Sequence, residues 1–324
     1  MSGPRLRVRA PSRLHFGLLG WGPHARRQFG GLGLMIESPG ITLSAEPAGS
    51  WGAAGPLAAR VEQLLQDLPP RLAEAGIPVQ PVHITVHSAP AEHVGLGVGT
   101  QLSLAVAWAL LRLAGVEDWT AGDLGRLAGR GARSGIGIHG FRSGGLIVDG
   151  GRKGGTGIPP LVARLAFPED WSILIVQPDG RRGLHGADES RAFAQLPTIA
   201  GHVTERLCRL VLLELLPAVA ERDLPAFGAA VSELQAHVGA LFAAAQGGPF
   251  TSPRAATLLD QLGRSGFTGI GQSSWGPTLY AFADRPGDEV LAQAHRLCRR
   301  LGLEETATRV TRADNQGASV VVER

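Results

Sequence analysis

Apolar and polar positions change rhythm several times along the chain. Basic and apolar side chains alternate over Arg5–Ala10 (RLRVRA), a two-residue period that predicts an early strand partly facing solvent. Pro11 and Ser12 predict a turn, after which Arg13–Leu19 (RLHFGLL) resumes an extended run. Ile41–Glu46 reads as a further strand. Pro56 precedes a helix of about sixteen residues, with Leu57, Val61, Leu64, Leu65 and Leu68 at helical spacing. Val82–Val86 is strand-like. Gln101–Leu113 is apolar on most sides, which predicts a buried helix, and Ala121–Arg130 predicts another.

The second half mixes the two periods. Trp171–Val176 predicts a buried strand. Thr204–Ala220, interrupted near Pro217, and Leu224–Ala245 predict long helices, and Pro253 suits the first turn of one reaching about Leu262. Leu279–Ala283, Glu305–Val310 and Ala318–Val322 predict strands around a helix at Glu289–Leu301. Strands and helices in this order give an α+β pattern. The Gly- and Pro-rich stretch Gly150–Pro160 is the best domain boundary, dividing the chain into 1–155 and 156–324.

Glycines punctuate this pattern. His93–Leu104 (HVGLGVGTQLSL) places Gly95, Gly97, Gly99 and Thr100 between a strand and a helix. Such a turn either cradles a phosphate or pyrophosphate on backbone N–H groups or simply caps a helix. It is not a P-loop, which needs a Lys before its Ser or Thr; Lys153 is the only lysine in the chain. A dinucleotide fold fits poorly too, because the acids Asp118 and Asp123 fall in a helix-connecting stretch. Gly30, Gly31 and Gly33 follow Arg26 and Arg27 and predict a close backbone approach. Arg130–Gly151 (RGARSGIGIHGFRSGGLIVDGG) reads as a decorated loop offering Arg133, Ser134, His139, Arg142 and Ser143, with a short strand at Leu146–Val148 ending at Asp149. Pro178–Ser190 carries Arg181, His185, Asp188 and Glu189, which could meet a phosphate, a metal, one another or solvent.

Composition narrows the class. The 324 residues suffice for one large or two moderate domains with real cores, and 44% apolar with 18% charged is a globular balance. A net charge of +3 is no broad nucleic-acid-binding signal, although nearly all the cations are arginines, whose planar fork suits phosphate and carboxylate. Cys208 and Cys298 form neither a disulfide framework nor a zinc cluster. The start lacks the apolar core of a secretory signal, and no apolar stretch is long enough to span a bilayer, so a cytoplasmic protein without membrane partners is expected.

Three segments together carry a resemblance: PSRLHFGLLG at 11–20, VGLGVGTQLSLA at 94–105 and GIGQSSWGPTLYAF at 269–282. They resemble the GHMP kinase superfamily, which includes galactokinase, homoserine kinase and mevalonate kinase. The resemblance implies a two-domain GHMP-kinase-like fold, an N-terminal domain with the glycine loop near phosphate and a ferredoxin-like C-terminal domain. RSGIGIHGFRSGGLIVDGG at 133–151 is similar to the β-ribofuranosylaminobenzene 5'-phosphate synthases, an unusual non-kinase branch. Many of the kinases carry a catalytic aspartate in a segment like P-S-G-x-D; here Gly137 stands at that place, and Thr100-Gln101 replaces their serine-rich pattern. Both departures argue against phosphorylation by ATP.

The synthase resemblance implies decarboxylating transfer from phosphoribosyl pyrophosphate to 4-aminobenzoate or 4-hydroxybenzoate, an early step in methanopterin-type cofactor synthesis. Mg2+ is expected to bridge pyrophosphate oxygens, with no organic cofactor. Gly95, Gly97, Gly99, Thr100 and Gln101 form the expected cradle. Arg13, Arg26, Arg142 and Arg181 are candidates for phosphate or carboxylate recognition. His15, Arg133, His139 and His185 are the candidates for catalysis, Gln272, Ser273 and Ser274 for closing the site, and Asp149 and Asp188 for metal; Asp149 could instead cap the glycine turn that follows it. The alternatives are an ATP-dependent small-molecule kinase and a non-catalytic phosphometabolite-binding protein. A homodimer is the general expectation.

Overall fold

The computed structural model describes residues 4–154, 157–178, 183–303 and 307–323. Its first half runs β1 (Arg5–Gly20), β2 (Phe29–Pro47), β3 (Gly52–Ala54), α1 (Ala58–Glu74), β4 (Val82–Ser88), α2 (Val98–Leu113), α3 (Ala121–Leu127), α4 (Ile136–Ser143), β5 (Leu146–Asp149) and β6 (Leu161–Leu165). The second runs β7 (Ser172–Gln177), α5 (Gly186–Gln195), α6 (Gly201–Leu210), α7 (Leu216–Glu221), α8 (Leu224–Gln246), α9 (Pro253–Arg264), β8 (Thr268–Gln272), β9 (Leu279–Ala283), α10 (Gly287–Arg300), β10 (Ala307–Thr311) and β11 (Ser319–Glu323). A π-helical turn, Val211–Leu215, joins α6 to α7, and Pro217 falls in the first turn of α7.

Two sheets organise these elements. The first has the order β11-β1-β2-β4-β3, with β5 pairing β2 and β6 pairing β5. Pro11 does not end the first strand: β1 continues through it, with register shifts between Ala10 and Ser12 and between His15 and Gly17. Bulges of this kind bend a strand and re-aim its side chains without ending the ladder. The second sheet, β10-β7-β9-β8, is antiparallel throughout, and its strands with α10 give the ferredoxin-like order. β11, expected as a strand of the second domain, pairs along β1 in the first sheet instead, and β6, a strand that the sequence did not mark, lies beside β5. The boundary expected at 155 lies outside the described residues.

Period-two alternation explains why the second sheet is covered on both faces. In β9, Tyr280 and Phe282 join the main core, whereas Leu279, Ala281 and Ala283 join a smaller core under α9 and α10. Phe16 of β1 enters the main core from the first domain, with its ring 5.1 Å from Tyr280 and 6.2 Å from Phe282. The domains therefore share one apolar core, which fixes the two sides of the cleft above it. The stretch 130–151 is more regular than its glycines suggest, because Ile136, Ile138 and Phe141 are buried and fold it into α4. The end of the charged stretch Pro178–Ser190, where no helix was expected, forms the start of α5.

Candidate active site

A cleft of about 590 Å³ lies between the domains. Its first wall is the turn 95–100. Gly97 is the N-cap of α2 at φ 74, with no side-chain cap and no acid in the first helical turn. The helix thus presents its positive end where Val98, Gly99 and Thr100 line the cleft; the Thr100 N–H already donates to the Gly97 carbonyl oxygen at 3.0 Å, which leaves the N–H groups of Val98 and Gly99 at the start of the helix. Such a helix start is chemically suited to an anion. Gly95, at φ 86, sits so close to the second domain that a Cβ there would lie 2.5 Å from the Ser273 carbonyl oxygen.

Cations surround this wall. The Arg13 Nη1 donates to the Gly95 carbonyl oxygen at 2.6 Å, and its backbone N–H donates to Leu96 at 3.1 Å. Burial pushes the Arg13 guanidinium down to about 10, partly opposed by the charge of Glu189, so it stays cationic at neutral pH. Burial and then the charge of Arg13 push His15 down to about 3, which leaves its imidazole neutral. Arg130 donates from Nε and Nη2 to Ser103 Oγ at 3.1 and 2.8 Å, and burial with the nearby Arg60 charge lowers its pKa. Arg133 pairs with Glu189 of α5 at 2.6 Å and lies over the Phe193 ring, 5.0 Å from its centroid.

The turn after β8 stitches the domains together. Ser273 Oγ donates to the Gly95 carbonyl at 2.6 Å and accepts from the His15 backbone N–H at 2.9 Å. The Ser274 N–H donates to the His15 carbonyl at 3.1 Å. Gln272 Oε1 accepts from the Thr251 N–H at 2.8 Å. Ser274 lines the cleft; Ser273 and Gln272 are buried behind it and hold its geometry.

The structure thus brings Arg13, His15, Gly95, Gly97, Gly99, Thr100, Arg133, His185 and Ser274 to one cleft. His185 is exposed at its mouth, stacked on His93 with centroids 3.7 Å apart. Other expected residues stand elsewhere. His139 Nε2 lies 2.8 Å from the Pro159 carbonyl oxygen, behind the wall. Arg142 is exposed on the last turn of α4, over Trp119, and Arg26 is exposed between β1 and β2. Arg181 lies outside the described residues.

Neither proposed metal carboxylate fits that task. Asp149 is buried and its oxygens accept from Gly135 N–H at 2.8 Å, Ser134 Oγ at 3.0 Å and Gly151 N–H at 2.9 Å, so both oxygens are engaged in holding the turn before α4 and the glycine turn that follows β5. Burial nevertheless raises its pKa, against the pull of those hydrogen bonds. Asp188 is exposed and pairs with Arg191 three residues on. Among the described residues no three His, Cys, Asp or Glu side chains are grouped to hold a metal ion.

Sequence reasoning missed Arg60, Glu92, Arg130 and the aromatic side of the cleft. Arg130 opens the glycine-rich stretch and could have been singled out. Arg60 is one cation on an amphipathic helix, and nothing in its spacing marks it.

Comparison with known proteins follows the same lines. Residues 58–146 match the GHMP kinases N terminal domain and 215–300 match GHMP kinases C terminal. The β-ribofuranosylphenol 5'-phosphate synthase of Methanothermobacter thermautotrophicus is 32% identical over 300 residues, covering 87% of this chain and 90% of the relative. That of Archaeoglobus fulgidus is 33% identical, covering 98% and 100%. The chain belongs to the β-ribofuranosylphenol 5'-phosphate synthase family. It is accordingly an enzyme, on a GHMP fold. Lactococcus lactis galactokinase complexed with galactose superimposes with a TM-score of 0.70 at 14% identity, covering 97% of this chain and 95% of that one. A homoserine kinase from Cytophaga hutchinsonii gives 0.67 at 15%, covering 98% and 97%. A further neighbour, solved in complex with MVAPP, AMPPCP and magnesium, gives 0.62 at 16%, covering 99% of both chains.

The two departures from the kinase pattern, Gly137 and Thr100-Gln101, adjoin one another. Gly137 lies in the first turn of α4, and a Cβ there would stand 3.3 Å from both Gln101 Nε2 and Thr100 Cγ2. Gln101 Nε2 donates to the Gly137 carbonyl oxygen at 2.8 Å. The glutamine amide therefore occupies the ground next to which a kinase-type acid would have to fit.

Proposed function

We propose that this chain transfers the phosphoribosyl group of phosphoribosyl pyrophosphate to 4-hydroxybenzoate with loss of CO2, giving β-ribofuranosylphenol 5'-phosphate. The observation that carries the proposal is the uncapped start of α2, facing a cleft with Arg13 and Arg130 beside it and no acid in the first helical turn. A diphosphate leaving group needs such preorganised positive charge, which costs no reorganisation as negative charge develops. The names of the relatives, which specify a phenol product, favour the hydroxy over the amino acid.

The electron flow uses no covalent enzyme intermediate. The anomeric C–O bond breaks and its electron pair leaves with pyrophosphate. The π electrons of the ring carbon that bears the carboxylate form the new C–C bond, opposite the departing group. The C–CO2 bond then breaks, its pair restores aromaticity, and CO2 departs. The ring hydroxyl can lend its proton while the ring is dearomatised and recover it afterwards, so no net proton is exchanged. Holding two anions in line is the principal task of the protein. His15, neutral, can hydrogen-bond a substrate without adding charge, and the cationic field comes from Arg13, Arg60, Arg130 and Arg133.

Magnesium bound with the diphosphate would neutralise part of its charge as it leaves. Glu92, half-buried in the cleft wall beside Arg130, is the carboxylate whose position suits that ion; Asp149 and Asp188 do not. The enzyme is expected to act in the cytoplasm on small molecules alone.

The test follows labelled CO2 and pyrophosphate together, from carboxyl-labelled 4-hydroxybenzoate, phosphoribosyl pyrophosphate and magnesium, with 4-aminobenzoate in parallel. Equimolar release is expected, faster with the hydroxy acid. Release of neither product by folded enzyme, with ATP consumed instead when a small alcohol is supplied, would overturn the assignment.

A further inference from the structure

The two sides of the cleft differ in chemistry. The turn 95–100 offers N–H groups and Arg13. Another part of the lining is apolar: Leu18 of β1, Phe29 at the start of β2, Phe193 of α5, Phe242 of α8 and Trp275. These rings form one connected set. Phe193 meets Phe29 edge-to-face at 5.7 Å and Trp275 edge-to-face at 5.3 Å, while Phe242 and Trp275 stack at 4.0 Å. Phe242 and Trp275 are nearly inaccessible and serve as backing; Phe29 and Phe193 are half-buried and present ring surface to the cleft.

Phe29 adopts φ 67, a left-handed backbone that a bulky side chain rarely occupies. Residues held so against local preference cluster at ligand sites. Beside these rings stands the cation Arg133, lying over Phe193 and paired with Glu189. Aromatic side chains with a guanidinium beside them match a ring carrying one carboxylate: the rings offer edge and face contacts, and the cation a partner for the acid.

We infer that Phe29 and Phe193, backed by Phe242 and Trp275, are the acceptor subsite, which takes the ring of a para-substituted benzoate, and that the carboxylate of the acid displaces Glu189 from Arg133. The inference rests on the transfer reaction proposed above and places its second substrate. It assigns Arg133 to the aromatic acid, and Arg13 with the α2 terminus to the diphosphate. The carboxylate-bearing carbon then points along Arg133 toward the sugar between the two sides. Glu189 acts as a competitor that keeps Arg133 oriented until the acid arrives.

Two variants separate this from a merely structural aromatic cluster. Glu189→Gln removes the competing charge but keeps the shape. It should tighten 4-hydroxybenzoate about threefold, leave the binding of phenol, which has no carboxylate, unaltered, and change the KM for phosphoribosyl pyrophosphate by less than that, since the Glu189 charge is also felt at Arg13. Phe193→Leu keeps an apolar residue and removes the ring, and should weaken 4-hydroxybenzoate about tenfold while leaving the KM for phosphoribosyl pyrophosphate unaltered. Binding is read by saturation-transfer NMR on the ring protons of 4-hydroxybenzoate, with inorganic pyrophosphate and magnesium present, and KM by product release. Circular dichroism melting checks each fold; Glu189→Gln carries the test alone if Phe193→Leu does not fold. No ring-proton saturation in the wild-type enzyme at millimolar acid, or effects of Glu189→Gln on phosphoribosyl pyrophosphate instead of the acid, would overturn the inference. Ring binding with the expected variant pattern but without CO2 release would uphold the subsite and refute the proposed reaction.

Discussion

Two helices of this enzyme begin in glycine-rich turns, and their ends are handled in opposite ways. α4 starts after RSG, and the buried carboxylate of Asp149 accepts from the N–H of Gly135 and from Ser134 Oγ. α2 starts after GLG, and no carboxylate or hydroxyl caps it. Both turns are equally suggestive as sequence. The turn before α4 holds a buried internal carboxylate, whereas among the described residues none bonds to the turn before α2. A glycine-led helix start is an anion site when its donors lack an internal partner, and composition alone does not report that.

The largest expected effect comes from spoiling the open end. Gly97 holds φ 74, and a Cβ there would lie 2.9 Å from Arg13 Cγ. Gly97→Val both strains the turn and pushes Arg13 from the cradle. Misplacing a positioning group by about 1 Å can cost about a hundredfold in rate. A loss of that order in kcat/KM for phosphoribosyl pyrophosphate is expected, with a smaller change in the KM of the aromatic acid. Unchanged kinetics in a folded variant would show that the diphosphate binds elsewhere.

The capped end should answer differently. Asp149→Asn replaces an oxygen that accepts hydrogen bonds by an amide that donates, opposite N–H groups already in place. Leaving such buried donors unsatisfied costs about 1–3 kcal/mol, read as a lowered urea midpoint. The magnesium concentration for half-maximal activity should not move. A shifted magnesium requirement without loss of stability would make Asp149 a metal ligand after all and erase the contrast between the two helices.

How much of this was legible in the sequence follows from what each signal depends on. β9, α8 and α9 are readable because alternation or helical spacing is strong and local; Leu279–Ala283 has the same bounds in both readings. α4 was read as a loop, since glycine and charge suggest exposure, yet tertiary burial of Ile136, Ile138 and Phe141 overrides that preference, and no helix was expected at α5. β11 returns some three hundred residues later to pair with β1, and no local pattern encodes a partner at that distance. Within the site, the glycine turn, Arg13 and Arg133 were readable because their chemistry is unusual. The aromatic side was not, because Phe29, Phe193, Phe242 and Trp275 come from four separate segments and each reads alone as core.

The smallest expected effect tests the far face of α4. Arg142 attracted attention because it shares a glycine-rich stretch with Arg133, nine positions earlier in the chain. The helix separates them: Arg133 precedes its first turn and reaches the cleft, whereas Arg142 sits in its last turn, exposed, with its guanidinium 5.0 Å from the Trp119 ring centroid. An exposed cation–π contact contributes about 0.5–1 kcal/mol, and a cation near a helix C-terminus adds a comparable or smaller amount. Arg142→Ala should therefore lower the urea midpoint slightly and leave kcat and both KM values within about twofold, whereas a clear rise in KM for either anionic substrate would mean that the exposed face of α4 contributes to binding and that the cleft extends beyond its present walls.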